Sequence, residues 1–170
     1  AAALSNNLKN YSQIEEVIVH TGQHYDKMMS DIFFEQLKLP QPKYRLESGG
    51  KTHAEMTGYQ LMEIEKILLI EKPNWVLVYG DTNSTLAGAL AASKIHIPII
   101  HVEAGLRSNN MRMPEEVNRI LTDRLSEILF CPTKTAEKQL FNEGYNNFDC
   151  SIEVVGDIMF DALKLISPQI

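Results

Sequence analysis

Cysteine is scarce in this chain: Cys131 and Cys150 are the only two among 170 residues, and they lack the spacing of a metal-binding motif. Two isolated cysteines exclude a disulfide framework and favour a reducing compartment. Long apolar runs are missing as well, because the longest candidates, Trp75–Tyr79 and Ile97–Ile100, are far shorter than the ~20 residues of a membrane helix. We therefore predict a cytoplasmic protein without a membrane span.

Positive charge is in deficit, with 16 Lys and Arg against 22 Asp and Glu and a net charge of −6. Such a chain lacks the basic surface that binds nucleic acid or anionic membranes, so neither partner is predicted. The five histidines are scattered without ligand spacing, and no metal site is predicted. The glycine-rich phosphate loops of dinucleotide-binding and P-loop proteins are also absent.

The sequence does contain the composition of a folded domain, with 44% hydrophobic and 22% charged residues. Short apolar segments alternate with segments of helical periodicity. The predicted strands are Glu16–His20, Trp75–Tyr79, Ile97–Val102, Ile128–Cys131 and Ile152–Val155. The predicted helices are Tyr25–Leu37, Thr52–Glu71, Ser84–Lys94, Pro114–Ser126 and Thr133–Glu143. This alternation predicts an α/β fold, a doubly wound parallel sheet of Rossmann-like type.

Polar residues follow the predicted strands at the points where ligands bind in such sheets, beyond the carboxyl ends. Asp81 and Thr82 follow the second strand, and Glu103 and Arg107 follow the third. His101 lies within the third strand, close to its end. The sequence therefore predicts a site at this edge of the sheet.

Most of these residues also have a structural interpretation. Asp81 and Thr82 suit the cap of the following helix. Glu115 suits the first turn of its helix and an ion pair with Arg119 four residues later. Glu103 favours a functional role, because a carboxylate at the end of an apolar strand is costly unless it is paired or faces a cleft.

Several sequence blocks resemble those of the non-hydrolysing UDP-N-acetylglucosamine 2-epimerases. The blocks are Gly80–Leu86 (GDTNSTL), His101–Arg107 (HVEAGLR), Pro114–Arg119 (PEEVNR), Thr21–His24 (TGQH) and Val155–Asp157 (VGD). Their order and spacing agree with that family from about Val17 to the end of the chain, and together they are highly specific.

The resemblance implies an enzyme that inverts C2 of UDP-GlcNAc to give UDP-ManNAc. It eliminates UDP to form a glycal and then adds UDP back, without a nicotinamide or any other cofactor. The implied catalytic residues are Asp81, Glu103 and Glu115. The implied substrate-binding residues are His24, Thr82, His101, Arg107 and Arg119.

The resemblance also implies two Rossmann-like domains that face each other across a cleft, as in GT-B glycosyltransferases. Residues 1–156 are expected to form the N-terminal domain without its first strand. Residues 157–170 are expected to form a helix that leads to an absent C-terminal nucleotide-binding domain. We expect this chain to be inactive alone and the complete protein to bind a UDP-sugar and form a homodimer.

Two other functions remain open at this point. A hydrolysing 2-epimerase would release UDP and free ManNAc, although the GDTNSTL block favours the non-hydrolysing branch. A non-catalytic nucleotide-sugar-binding domain would use the same carboxylates only as caps and ion pairs. The sugar is also open, since relatives act on UDP-GlcNAc or on acetamido-uronate derivatives.

Overall fold

The computed structural model describes residues 2–23 and 39–166, which belong to two compact units. The first unit combines Ala1–Lys51 with Ile158–Ile170, and the second is Thr52–Asp157. His24 and the predicted helix Tyr25–Leu37 lie outside the described residues.

The described elements follow the predicted alternation of strands and helices. The helices are α1 (Ala2–Leu8), α2 (His53–Glu71), α3 (Asn83–Lys94), α4 (Pro114–Leu125), α5 (Lys134–Asn142) and α6 (Ile158–Ile166). The strands are β1 (Val19–His20), β2 (Tyr44–Arg45), β3 (Val76–Tyr79), β4 (Ile99–Val102), β5 (Ile128–Cys131) and β6 (Ser151–Val154). Across these described segments, no helix combines the length and apolar character needed to cross a bilayer.

The first unit contains a short parallel pair of strands, in which Val19 lies opposite Tyr44. The predicted strand from Glu16 is shorter than expected and pairs only over its last two residues. Strand β2 was not predicted, because two residues are too few to show an alternating pattern.

The second unit is built on a four-stranded parallel sheet in the order β3-β4-β5-β6. Val76 pairs with Ile99, Ile100 with Ile128, and Ile128 with Ser151. The inner strands carry buried side chains, because helices cover a parallel sheet on its faces. The α/β, Rossmann-like fold predicted from the sequence is confirmed.

Helix α3 packs against α2 on one side and α4 on the other. Ala87, Ala89, Ala91 and Ala92 are completely buried on it, and their small side chains allow neighbouring backbones to approach closely. A capping box starts the long helix α2, where Thr52 and Glu55 satisfy each other's backbone N–H groups. This packing holds α3 and α4, whose first turns follow strands β3 and β4, at one edge of the sheet.

Candidate active site

The chain leaves β3 through a tight turn at Gly80. Gly80 has φ +63°, in the left-handed region that glycine adopts without strain. Its N–H donates to the Val102 carbonyl at 3.0 Å, which ties the turn to the end of β4. Thr82 then caps α3, since its hydroxyl and the Thr85 side chain form a reciprocal capping box. Asp81 is left between the glycine and the cap, at the edge of the sheet.

The chain leaves β4 through an unusual backbone conformation at Glu103. Glu103 has φ +79°, which is uncommon for a residue other than glycine. The N–H groups of Glu103 and Ala104 both donate to the Phe130 carbonyl, at 3.1 and 3.0 Å. Oε2 of Glu103 lies only 3.3 Å from the position a Cβ on Gly80 would occupy. The two strand ends therefore bring the Glu103 carboxylate against the turn that carries Asp81.

Glu103 lies in surroundings that favour its protonated form. Partial burial raises the pKa of Glu103, and the nearby negative charges of Asp81 and Asp157 raise it further. Electrostatic interactions with His101 and Arg119 oppose this rise in the pKa of Glu103 without cancelling it. A carboxyl group of this kind is suited to hold and release a proton.

Arg119 on α4 joins two carboxylates. Its Nη2 donates to Oδ2 of Asp81, and its Nη1 donates to Oε2 of Glu116 at 2.6 Å. Burial opposes the charged guanidinium, but the bonds to Asp81 and Glu116 raise the pKa of Arg119. Arg119 therefore stays positive and holds Asp81 as its ion-pair partner.

Glu116 is buried and anchors the loop that follows β4. Its carboxylate accepts the backbone N–H of Ser108 at 3.0 Å and that of Asn109 at 2.8 Å. Burial alone would raise the pKa of Glu116, but these bonds and the one from Arg119 outweigh it, so the pKa is lowered. One side chain thus fixes both the loop and the arginine that holds Asp81.

Glu115 occupies a different position from its neighbour. It is exposed in the first turn of α4, and the pair predicted with Arg119 is formed by Glu116 instead. Residues four apart lie on the same side of a helix, so Glu115 lies one turn before Arg119 on that side. The Glu115 carboxylate is therefore exposed to solvent on the side of α4 that carries Arg119.

Asn118 fixes the backbone of the turn after β3. Its Nδ2 donates to the Asp81 carbonyl at 2.9 Å and to Oδ1 of Asn83 at 3.2 Å. Asn83 in turn lies 3.0 Å from Nδ1 of His53. These bonds tie the start of α3 to helices α2 and α4.

His101 and Arg107 are engaged inside the protein around one buried carboxylate. Nδ1 of His101 lies 2.6 Å from Oδ1 of Asp123, and its Nε2 lies 2.7 Å from the Gly80 carbonyl. Arg107 donates to Oδ2 of Asp123 at 2.7 Å and to both carboxylate oxygens of Glu143 at 2.8 Å. Both side chains therefore act within the protein framework that supports the site.

Gly105 completes this framework. Its N–H donates to Oδ2 of Asp123 at 3.2 Å, and it has φ +77°. A Cβ on Gly105 would lie 2.5 Å from the Ala136 carbonyl, so only glycine fits where the loop crosses α5.

Sequence reasoning missed several residues that organise the site: Glu116, Asn118, Asp123 and Glu143. Glu116, Arg119 and Asp123 recur at helical spacing on α4, which is a signal in principle. A charged stripe on an amphipathic helix is usually a solvated face, however, and the sequence does not show that this stripe is turned towards the sheet. Over the described ranges 2–23 and 39–166, no cluster of His, Cys, Asp and Glu has the arrangement of a metal site.

Fold and site together define a class of protein. The domain is Rossmann-like, and its carboxylates and arginine collect where parallel strands of such sheets end and nucleotide-type ligands bind. The chain belongs to the UDP-N-acetylglucosamine 2-epimerase family, whose model matches residues 6–170. The family resemblance inferred from the sequence blocks is confirmed.

Two relatives illustrate the range of named activities in the family. The chain is 60% identical to the UDP-2,3-diacetamido-2,3-dideoxy-D-glucuronate 2-epimerase of Pseudomonas aeruginosa, over 95% of this chain and 46% of that protein. It is 54% identical to the UDP-N-acetylglucosamine 2-epimerase of Methanocaldococcus jannaschii, over 89% of this chain and 41% of that protein. The chain thus spans about half the length of the curated relatives it matches.

Solved structures of the family share the fold. The M. jannaschii UDP-GlcNAc 2-epimerase in complex with UDP-GlcNAc and UDP matches with a TM-score of 0.91 and 51% identity, over 96% of this chain and 44% of that one. The Neisseria meningitidis UDP-GlcNAc 2-epimerase bound to UDP-GlcNAc matches with a TM-score of 0.92 and 31% identity, over 99% of this chain and 45% of that one.

Proposed function

We propose that this chain is the N-terminal half of a two-domain, GT-B-type enzyme that inverts C2 of a UDP-2-acetamido sugar. In this proposal residues 1–156 form one wall of the substrate cleft, and residues 157–170 lead to the second domain. The observation that carries it is the placement of two carboxylates at the carboxyl edge of β3 and β4, where Asp81 pairs with Arg119 and Glu103 lies against the Gly80 turn. Family membership over residues 6–170 supports it.

The reaction needs one group that removes a proton and another that supplies one. A base takes the proton from C2 while the C1–O bond to UDP breaks. The electron pair of the C2–H bond forms the C1–C2 double bond of the glycal, and the pair of the C1–O bond leaves with UDP. In the reverse sense, UDP oxygen bonds to C1 and an acid delivers a proton to the opposite face of C2. The atoms balance without an oxidant or reductant, so no redox cofactor is required.

We assign these roles from the different surroundings of the carboxylates. Asp81 is paired with Arg119 and is placed to act as the ionised base. Glu103 has a raised pKa and is placed to act as the proton donor. Exposed Glu115 is the third carboxylate, available for the leaving diphosphate's proton or for the second face of C2.

The remaining predicted residues fall into two groups. Thr82 and Arg119 lie at the sheet edge beside Asp81, and we retain them as substrate contacts together with His24, which lies outside the described residues. For His101 and Arg107 we propose an indirect role, because their polar atoms are engaged with Asp123 and with backbone carbonyls.

The decisive experiment follows the complete protein with UDP-GlcNAc in deuterated water by proton NMR. Deuterium at C2 together with UDP-ManNAc is the expected result. Asp81→Asn, Glu103→Gln and Glu115→Gln should each lower turnover at least about 100-fold. Glu127→Gln is the matched control and should keep full turnover. Glu127 is exposed and lies directly before β5, at the amino ends of the strands rather than at their carboxyl ends.

The alternatives give different products in the same assay. UDP with free ManNAc would identify a hydrolysing 2-epimerase. Full turnover in all three carboxylate variants would mean that these side chains are structural. Binding without exchange for any substrate would indicate a nucleotide-sugar-binding domain.

A uronate substrate has a specific observation in its favour. The relative with 60% identity is named for UDP-2,3-diacetamido-2,3-dideoxy-D-glucuronate, whereas the M. jannaschii relative with 54% identity is named for UDP-N-acetylglucosamine. Both UDP-sugars are therefore tested side by side, and the larger kcat/KM identifies the substrate.

The assembly and location of the complete protein are further parts of the proposal. We propose a homodimer, as the family resemblance implies, in a reducing compartment that suits the two free thiols, Cys131 and Cys150. Sedimentation of the complete protein at several concentrations tests the dimer, and a constant monomer mass would contradict it.

A further inference from the structure

His101 is the most completely enclosed ionisable ring in the second unit, with a side chain that is 0% exposed. It lies on β4, and both of its ring nitrogens have a partner. Nδ1 is 2.6 Å from Oδ1 of Asp123, and Nε2 is 2.7 Å from the Gly80 carbonyl. Both distances are those of well-formed hydrogen bonds.

Both partners are placed as acceptors. A backbone carbonyl only accepts hydrogen bonds, so Nε2 of His101 must donate to Gly80. Asp123 pairs with the Arg107 guanidinium and accepts the Gly105 N–H through Oδ2, which leaves Oδ1 as the acceptor that lies against Nδ1 of His101. With Nδ1 donating to Asp123, the ring needs two N–H groups, and a neutral imidazole has only one.

The surrounding charges are compatible with a cation at this position. Asp123 contacts the ring directly, and it pairs with Arg107, which in turn pairs with Glu143 at the end of α5. Glu103 interacts with His101 electrostatically, and the Asp81–Arg119 pair follows Gly80 in the turn after β3. Asp123 and Glu143 balance the charges of His101 and Arg107. Cys131 on β5 adds no charge, because burial raises the pKa of its thiol to about 12.

We infer that His101 is a doubly protonated positioning residue, which donates from both ring nitrogens and couples buried Asp123 to the backbone of the Gly80–Thr82 turn. Through Nε2 it holds the Gly80 carbonyl and so orients Asp81. The part of this inference that concerns catalysis rests on the proposed epimerase function, whereas the protonation state does not.

The protonation state is measured directly on the complete protein with ring-15N-labelled histidine. Five histidines give a spectrum simple enough for assignment, and the signals lost in His101→Gln identify His101. At about pH 7.5, where an ordinary histidine is mostly neutral, we expect both His101 nitrogens to carry protons. Exposed His96 provides the internal reference for a solvated ring. One unprotonated nitrogen in His101 at this pH would overturn the inference.

Asp123→Asn tests whether the Asp123 carboxylate stabilises the second ring proton of His101. The amide has no negative charge, so we expect His101 to lose one ring proton in this variant. Asp149→Asn, at an exposed aspartate, is the control and should leave the His101 signals unchanged. A doubly protonated ring in both variants would show that Asp123 does not set this state.

Two substitutions of His101 test positioning in catalysis. Gln places its amide donor near the position of Nε2 and can still reach the Gly80 carbonyl, whereas Asn places its donor nearer to Asp123. We expect kcat to fall about 100-fold in His101→Asn and clearly less in His101→Gln, with KM little changed in both. Equal losses, or a larger loss in His101→Gln, would contradict positioning through Gly80.

The two proposals fail in different ways. Absence of C2 exchange with every UDP-sugar tested, together with a doubly protonated His101, would refute the epimerase function and leave the inference about the ring intact. An active epimerase whose His101 has one unprotonated ring nitrogen would refute the inference about the ring and leave the epimerase function intact.

Discussion

Glu103 combines an uncommon backbone conformation with an uncommon electrostatic environment. The left-handed φ of +79° is maintained because two consecutive N–H groups share the Phe130 carbonyl. Strained backbone of this kind is frequent at functional sites, where the surrounding structure compensates for it. In this protein the strain delivers a carboxyl group to the turn that carries Asp81, where the two charges interact.

Replacing Glu103 should raise the stability of the folded protein at high pH while lowering its activity. Because the pKa of Glu103 is raised above 4.5, the folded protein retains a proton that the unfolded chain releases, and stability declines as pH rises through this window. Glu103→Gln removes that cost. We expect a higher urea midpoint than wild type at about pH 8, no advantage at about pH 4, and turnover lowered at least about 100-fold.

Chemical denaturation of both proteins at these two pH values, with the NMR assay of turnover, checks this prediction. Equal midpoints at about pH 8 would show that Glu103 ionises in the folded protein without any penalty.

Gly80→Ala tests the turn itself. A side chain at φ +63° costs about 1–2 kcal/mol, and its Cβ would press on Oε2 of Glu103 at 3.3 Å. We expect lower stability and lower turnover. Gly58→Ala is the matched control, because no atom lies within 4 Å of its added Cβ and alanine favours the helix by about 0.5–1 kcal/mol. Thermal unfolding of the two variants should shift in opposite directions.

Helix α4 organises the candidate site at the scale of a secondary-structure element. One of its sides presents Arg119 to Asp81, while the buried Glu116 and Asp123 bind the loop that follows β4. Pro114 occupies the first helical position, where the N–H group that proline lacks would have no acceptor within the helix. A single rigid helix therefore sets the relative positions of the loops after β3 and β4.

Glu116→Gln should weaken this element. The carboxylate accepts hydrogen bonds from Ser108, Asn109 and Arg119, and an amide cannot satisfy all three donors. We expect a loss of about 2 kcal/mol in the free energy of unfolding at neutral pH, measured by urea denaturation. The exposed variant Glu127→Gln is the control and should stay within about 0.5 kcal/mol of wild type.

The effect of Glu116→Gln should depend on pH. The pKa of Glu116 is lowered from 4.5 on folding, so its stabilisation is complete above about pH 4.5 and is lost as pH falls through the folded pKa. The difference between wild type and Glu116→Gln should therefore narrow below about pH 4.5. A constant difference down to about pH 3 would contradict the ionised state assigned to Glu116.

At the scale of the whole molecule, buried charges connect elements that are distant in the chain. Arg107 joins Asp123 on α4 to Glu143 at the end of α5, and its own side chain is only 4% exposed. Burial disfavours the charge, but the bonds to Glu143 and Asp123 raise the pKa of Arg107 above its usual range. Arg107 therefore stays positively charged in its buried contact with Asp123.

Arg107→Ala should be among the most damaging single changes in this unit. It leaves buried Asp123 with only His101 and the Gly105 N–H as partners, and breaking a buried pair of this kind costs about 3–5 kcal/mol. Arg112→Ala, at an exposed arginine of the same loop, should stay within about 0.5 kcal/mol of wild type. The two denaturation curves measure the difference, and equal midpoints would show that Asp123 is satisfied without Arg107.

Much of the architecture could be predicted from the sequence because its signals are local. The apolar runs of β3 to β6 and the helical spacing between them are short-range patterns, so the order of elements follows from them. The convergence of Asp81 and Glu103 could also be predicted, since parallel strands end at a common edge. The two-residue strand β2 and the shortened β1 could not, because pairing so brief depends on contacts distant in sequence.

Periodicity and strand direction are properties of the chain, so the order of strands and helices, the parallel sheet and the residues that reach its carboxyl edge follow from the amino-acid sequence. The partners of those residues depend on the tertiary structure. It paired Arg119 with Glu116 rather than Glu115, and it enclosed His101 between Asp123 and Gly80. Those choices depend on how α4 is rotated against the sheet, which decides which polar side chains lose water and must find partners inside the protein.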